Sequence, residues 1–169
     1  MPVITIDSQI WVYYFDANAP ENKNVSTWLA GEHDDGILFK EDILLSVIIP
    51  IEVGHNLFKL KSMNGEDIEQ IMMDFLSIEN CRFIDIDPVL AVEAFKILKS
   101  RAREGIGGRD ALILATMDKH DVTTIATNDK NILTLKKYRR IDPVVDPPLI
   151  FETGEDFDKD LFKKRISEM

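Results

Sequence analysis

The chain has 169 residues, a length that suits one domain with one hydrophobic core, and its 45% hydrophobic and 30% charged residues are typical of a globular protein. The single cysteine, Cys81, excludes an internal disulfide framework and a cysteine-based zinc site, and it favours a reducing, cytoplasmic setting. The net charge of −10 argues against non-specific nucleic-acid binding. No apolar stretch approaches the ~20 residues of a membrane span.

The first half of the chain predicts two strands and four helices. Residues 3–6 are apolar without polar alternation, which indicates a strand covered on both faces. Helices are expected over 9–15 and 21–30. A second strand at 43–45 precedes two further helices, one from near Pro50 to about 63 and an amphipathic one over 66–77.

The second half continues the alternation of strands and helices. A third strand at 82–86 ends at Asp87-Pro88, a typical N-cap and first helical position, and that helix extends to about 103. A glycine-rich break separates it from a helix over 110–120. The remaining elements are a strand at 122–126, a short helix at 130–138 and a possible fifth strand at 141–145. This alternation predicts an α/β fold with a parallel sheet of four to five strands.

Four carboxylates follow or flank strands where ligands bind in such a fold, beyond the carboxyl ends of a parallel sheet. They are Asp7, Glu52, Asp110 and Asp129. Clustered carboxylates raise one another's pKa unless a cation neutralises them, and hard oxygen ligands select Mg²⁺ or Mn²⁺. Each residue alone also has a structural explanation, because the three aspartates can be helix N-caps and the glutamate can lie on the surface.

Other residue types leave two interpretations open. Arginines surround the approach to Asp110, and a second basic run follows the fourth strand; both can contact phosphates, or the second run can be a solvated helix face. The residues are Arg101, Arg103 and Arg109, then Lys136, Lys137, Arg139 and Arg140. The aromatic run Trp11, Tyr13, Tyr14 and Phe15 predicts core and dimer packing rather than base stacking. His55 follows Glu52 on one helix and is expected to be exposed or supporting, not catalytic.

Four motifs carry a resemblance to a known family. They are Val-Ile-Thr-Ile-Asp7-Ser8, Ser46 with Glu52, Gly-Arg-Asp110-Ala-Leu-Ile-Leu-Ala115, and Thr127-Asn128-Asp129-Lys130-Asn131. Over roughly residues 3–146 the chain resembles a PIN domain, and most nearly a VapC-type toxin ribonuclease. It departs from many members at Asn131, where an acidic or aromatic residue is common.

The resemblance implies a single-domain α/β/α sandwich over residues 1–146, followed by an extension at 147–169 that we expect to be helical. It implies a Mg²⁺- or Mn²⁺-dependent endoribonuclease that hydrolyses RNA phosphodiesters. Asp7, Glu52, Asp110 and Asp129 would be the catalytic and metal-binding carboxylates, with Ser8 and Asn128 supporting them. It further implies a homodimer acting as the toxin of a VapBC-type pair, with a cognate antitoxin. The alternative is a non-catalytic PIN-fold scaffold that binds RNA or protein.

Overall fold

A six-stranded sheet forms the centre of the molecule. The computed structural model describes residues 2–168, without the side chains of Lys159, Arg165 and Ile166. Met1, which begins the predicted domain at 1–146, and Met169, which ends the predicted extension at 147–169, lie outside the described residues. The strands are β1 Val3–Ile6, β2 Asp42–Ser46, β3 Cys81–Ile84, β4 Thr124–Ala126, β5 Arg139–Asp142 and β6 Leu149–Phe151.

The strand order is β3-β2-β1-β4-β5-β6, and β1 to β5 are all parallel. The order therefore reverses at β1, with β2 on one side and β4 on the other. β6 pairs with β5 in the antiparallel direction and closes that edge of the sheet. In open parallel sheets such a reversal leaves a crevice at the carboxyl ends of the central strands, which is where a site is expected.

Helices connect the strands and cover the sheet. Within residues 2–168 they are α1 Ser8–Phe15, α2 Asn22–Leu29, α3 Ile37–Lys40, α4 Ile48–Lys59, α5 Gly65–Leu76, α6 Pro88–Arg101, α7 Gly108–Lys119, α8 Lys130–Leu133 and α9 Lys159–Ser167, with a 3₁₀ turn at Ala102–Glu104. The predicted start of α6 is confirmed, because the Leu90 amide donates to the Asp87 carboxylate at 2.7 Å. No helix in this part of the chain combines the length and the apolar character that a bilayer crossing requires.

The predicted α/β class is confirmed, and five parallel strands agree with the expected four to five. The differences lie mainly after β4. The helix that begins at Lys130 ends at Leu133 instead of 138, because the following residues turn so that Leu135 and Tyr138 are buried. β5 consequently starts at Arg139, and the segment after residue 146 contains the strand β6 as well as α9.

Two apolar clusters hold these elements together. The larger surrounds the sheet and includes Ile4 and Ile6, both fully buried, as a strand covered on both faces requires. The smaller, called the tail cluster here, joins α8 to the end of the chain. It consists of Leu133, Val145, Leu149, Phe151 and Phe162, with Phe157 packed against them.

Candidate active site

A cleft of about 500 Å³ opens at the carboxyl edge of the sheet, beside the central strands β1 and β4. All four predicted carboxylates line it, although they come from α4, α7 and the residues that follow β1 and β4. The lining residues are Asp7, Ser8, Gln9, Glu52, Asn56, Lys59, Gly107, Gly108, Arg109, Asp110, Asn128 and Asp129. The fold therefore brings together four segments that are distant in sequence.

Asp7 lies at the base of the cleft, directly after β1, and only 7% of it is exposed. Its Oδ1 accepts a hydrogen bond from the Ser8 amide at 2.8 Å, which caps α1, and its Oδ2 accepts one from the Thr127 hydroxyl at 2.8 Å. The capping role and the site role are therefore compatible, because the same carboxylate begins a helix and lines the cleft. Two donors from different strand ends hold this carboxylate in one orientation.

Thr127 and Asp129, which follow β4, are joined by a hydrogen bond at one corner of the cleft. The fully buried Thr127 hydroxyl also accepts from the Asp129 amide at 3.0 Å, so that one side chain links two site residues. Oδ1 of Asp129 accepts from the amides of Asn131 at 2.7 Å and Ile132 at 3.3 Å, which caps α8. The Asn131 side chain in turn donates to the Gly105 carbonyl at 3.3 Å, joining this corner to the loop before Asp110.

Glu52 and Asp110 face the cleft from helices α4 and α7. Arg109 forms an ion pair with Glu52 through an Nη1–Oε2 distance of 3.2 Å, and its side chain is otherwise largely exposed. The second oxygen of Glu52, Oε1, is buried and accepts no hydrogen bond from any described residue. Asp110 lies in the first turn of α7, where the Gly107 amide is 3.4 Å from its Oδ2.

The electrostatics of the cleft disfavour four simultaneous negative charges. Burial, with smaller contributions from the charges of Asp129 and Glu52, raises the pKa of Asp7 to about 6 despite the two hydrogen bonds that lower it. Burial also raises the pKa of Asp110 to about 6, with added contributions from Asp7 and Asp129. The pKa of Glu52 is raised by burial and lowered in part by Arg109. A cation would relieve this repulsion.

The donor set fits a hard divalent ion, but the side chains are not preassembled around one. Carboxylate oxygens are the ligands that Mg²⁺ and Mn²⁺ prefer, and Glu52 Oε1 is a buried oxygen that lacks a partner. Among the residues described, no three histidine, cysteine or acidic side chains are arranged to hold a metal ion as they stand.

The other predicted contact residues fall in different places. Ser8, Asn128 and Arg109 line the cleft, whereas Arg101 pairs with Glu104 at 3.1 Å and neither it nor the exposed Arg103 belongs to the lining. In the second basic run, Lys136, Lys137 and Arg139 form ion pairs with Asp156, Asp118 and Glu152. Arg140 is completely buried, so the interpretation of this residue as a phosphate contact or a solvated helix residue is wrong.

The aromatic and histidine expectations agree with the structure. Trp11 is fully buried and packs against Phe75 with ring centroids 4.4 Å apart and the rings tilted by 41°, while its indole N–H donates to the Ile6 carbonyl at 3.2 Å. Tyr13 and its neighbours are partly buried against the same core. His55 is exposed and does not line the cleft.

Sequence reasoning missed several residues at this edge of the sheet, among them Gln9, Asn56, Lys59 and Asp142. Asn56 and Lys59 line the cleft at four and seven positions after Glu52, so helical periodicity along α4 was the signal that could have found them. Asp142 ends β5, and it is completely buried. The sequence predicts a strand over 141–145, which puts Asp142 inside the strand, whereas β5 ends at this residue.

A comparison with family models identifies a match to the PIN domain over residues 4–138. The match covers the four carboxylates, begins within β1 and ends after α8, before β5. No curated protein matches the chain.

Solved structures with a similar fold include components of toxin–antitoxin systems. FitAcB from Neisseria gonorrhoeae is 23% identical with a TM-score of 0.60, over 83% of this chain and 97% of its own. VapC20 from Mycobacterium tuberculosis, a toxin that cleaves the sarcin–ricin loop, is 15% identical with a TM-score of 0.61, over 76% and 92%. VapBC2 from Rickettsia felis, solved with a promoter DNA fragment, is 16% identical with a TM-score of 0.56, over 82% and 96%. At identities this low, the structural similarity establishes a shared fold and nothing more.

Proposed function

The chain belongs to the PIN domain family, and from that premise we propose that it is a Mg²⁺- or Mn²⁺-dependent endoribonuclease. The observation that carries this proposal is the cleft in which Asp7, Glu52, Asp110 and Asp129 come together from four separate segments. A scaffold has no physical need for this arrangement, since like charges at close range raise the free energy of the folded chain unless a cation is bound.

The four carboxylates would hold the ion, and the other lining residues would act on the RNA. When bound, a divalent ion acidifies water and neutralises the charge that grows on the phosphate during hydrolysis. Asp7 is oriented by the Ser8 amide and the Thr127 hydroxyl and needs no further ordering before it binds. Arg109 and Lys59 supply positive charge at the rim of the cleft, where an RNA phosphate would lie.

Arg109 has two positions in this proposal. In the metal-free cleft its guanidinium pairs with Glu52 and offsets part of the acidic charge. An ion held by the four carboxylates would supply that neutralisation, and the exposed arginine would then be available to contact a phosphate.

The partners follow from the similar structures. They include a toxin–antitoxin complex from Klebsiella pneumoniae and the toxin VapC20. On that basis we propose that this chain is the toxin of such a pair and that it binds a cognate antitoxin. We also propose a homodimer, for which the exposed apolar side chains Val89, Val92 and Phe95 on α6 offer a contact surface.

The experiment that tests the enzymatic proposal is cleavage of structured RNA by the purified protein with Mg²⁺ or Mn²⁺. We compare the wild type with Asp110→Asn, which removes one cleft carboxylate. Asp121→Asn is the matched control, because it removes an exposed charge just beyond the end of the same helix. The proposal requires cleavage by the wild type and the control and its loss in Asp110→Asn. Equal behaviour of all three proteins, or no cleavage, would favour a non-catalytic scaffold.

A further inference from the structure

The helix that carries Asp129 at its start, α8, has only four residues. A helix of one turn has little stability of its own, because most of its backbone groups lie at its ends. Its first amides bond to the Asp129 carboxylate, and the Leu133 amide donates to the Asp129 carbonyl at 2.9 Å. The position of this carboxylate therefore depends on what holds the far end of α8.

The far end is held by Arg140. Its guanidinium is completely buried, and in the described chain it forms no salt bridge with a carboxylate. Instead it donates to the Leu133 carbonyl at 2.7 Å and to the carbonyls of Glu152 at 2.8 Å and Glu155 at 2.6 Å. Burying a guanidinium is costly unless its donors are bonded; here Nη1 and Nη2 are bonded, while Nε has no partner among the described residues. Through these bonds Arg140 ties the last carbonyl of α8 to the segment after β6.

The tail cluster adds an apolar attachment at the same place. Leu133 is fully buried in it, and Phe162 of α9 is 3% exposed. Phe162 stacks edge-on against Phe157 with centroids 5.3 Å apart, and the ammonium of Lys130 lies 5.3 Å from the Phe162 ring. Both the first and the last residue of α8 therefore contact the C-terminal segment.

We propose that Arg140 and the C-terminal segment, which includes β6 and α9, position Asp129 for metal binding by clamping α8. The effect on metal binding rests on the proposed function, while the clamp itself is a property of the metal-free protein. The family match ends at residue 138, so both halves of the clamp lie outside the matched region. Arg140 and Phe162 are positioning residues that act through the helix.

The test uses the full chain with Phe162→Ala and Arg140→Met, each with a matched control. Phe39→Ala truncates an exposed phenylalanine on α3, and Arg82→Met removes an exposed arginine of β3, and neither residue contacts the cleft or the C-terminal segment's tail cluster. Arg140→Lys keeps the charge but cannot reproduce the fork of donors, so it should not rescue the clamp. If Arg140→Met fails to fold, Phe162→Ala still decides the question, because it leaves the guanidinium in place.

The first readout is amide hydrogen exchange without metal. The amides of Asn131 and Ile132 donate to the Asp129 carboxylate, so their exchange reports on that side chain directly. We expect both to exchange at least tenfold faster in Phe162→Ala and Arg140→Met, with amides of β1 and β2 unchanged. Exchange within twofold of the wild type would overturn the proposal, even if the melting temperature falls.

The second readout is the Mn²⁺ concentration that gives half-maximal binding and cleavage. We expect a rise of at least fivefold in both variants, with kcat at saturating Mn²⁺ within threefold of the wild type, and no change in the controls. A lower melting temperature with unchanged Mn²⁺ dependence would reduce the clamp to a stabilising contact. If the wild type neither binds the ion nor cleaves RNA, the proposed function fails, and amide exchange alone decides whether the clamp exists.

Discussion

Two buried carboxyl groups lie at the carboxyl edge of the sheet, in different surroundings. Asp7 follows β1 and opens into a cleft that three other carboxylates share, whereas Asp142 ends β5 and lines no part of that cleft. Burial raises the pKa of both to about 6. A raised pKa at a strand end therefore does not identify a site residue. The shared cleft distinguishes Asp7.

The surroundings of Asp142 explain its raised pKa without a ligand. It is completely buried, and its Oδ1 accepts from the Val144 amide at 3.1 Å, while Oδ2 has no hydrogen-bond partner among the described residues. The neighbouring Asn128 side chain lowers its pKa in part. Asn128 also lines the cleft, whereas Asp142 does not.

The largest expected effect is on catalysis. Asp7→Asn should lower RNA cleavage at least about 100-fold, because an amide is a poorer ligand for a divalent ion than a carboxylate. Asp142→Asn should leave cleavage within about threefold of the wild type, since the residue lies outside the cleft. Rates measured under single-turnover conditions with saturating Mn²⁺ compare the two. An equal loss in both variants would remove the distinction between the two carboxyl groups.

The second prediction concerns the pH dependence of stability without metal. A native pKa of about 6, above the ordinary 3.8, means that folded Asp7 binds its proton more tightly than the unfolded chain does. The ionised group therefore destabilises the native state above pH 6, and the penalty disappears below about pH 4. Asp7→Asn should gain roughly 1–3 kcal/mol over the wild type at pH 7.5 and nothing at pH 4.

Chemical unfolding in EDTA at both pH values measures this difference. If the variant is instead less stable than the wild type at pH 7.5, the hydrogen bonds to Ser8 and Thr127 contribute more than the repulsion costs. Asp7 would then be chiefly a helix cap.

The third prediction is stabilisation by the ion itself. An ion that binds only the native state stabilises it by about 1.4 kcal/mol at ten times its Kd. Mn²⁺ should therefore raise the melting temperature of the wild type and of Asp142→Asn, and it should leave Asp7→Asn nearly unchanged. The measurement is thermal unfolding under three conditions: without added ion, with Mn²⁺ and with Ca²⁺. A shift of equal size in all three proteins would indicate binding at another place.

The smallest expected effect is the stability of Asp142→Asn. Removing the buried charge should stabilise the protein at pH 7.5 by up to about 1 kcal/mol. The gain is smaller than for Asp7→Asn because the new amide N–H₂ takes the place of an oxygen that has no partner, and a buried donor without an acceptor costs part of the benefit. Unfolding at pH 7.5 and pH 4 gives both values. A destabilised variant at both pH values would show that the packing cost dominates.

The sequence by itself determined the α/β class and the parallel direction of the strands, and it predicted that the four carboxylates share one edge of the sheet. Its local signals are strong here, because apolar runs mark buried strands and Asp87-Pro88 marks a helix start. A carboxylate at a strand end is local information, and the parallel direction of the strands puts such residues on one edge.

Only the tertiary structure decided the rest. Whether a basic residue is free or engaged depends on partners distant in sequence, so Arg109 in the cleft and Arg140 in the core look alike along the chain. The short α8 and its clamp, and the difference between Asp7 and Asp142, likewise depend on how the C-terminal segment packs. Burial and the partners of polar groups are properties of the folded chain, because desolvation and hydrogen bonding are set by atoms that only folding brings together.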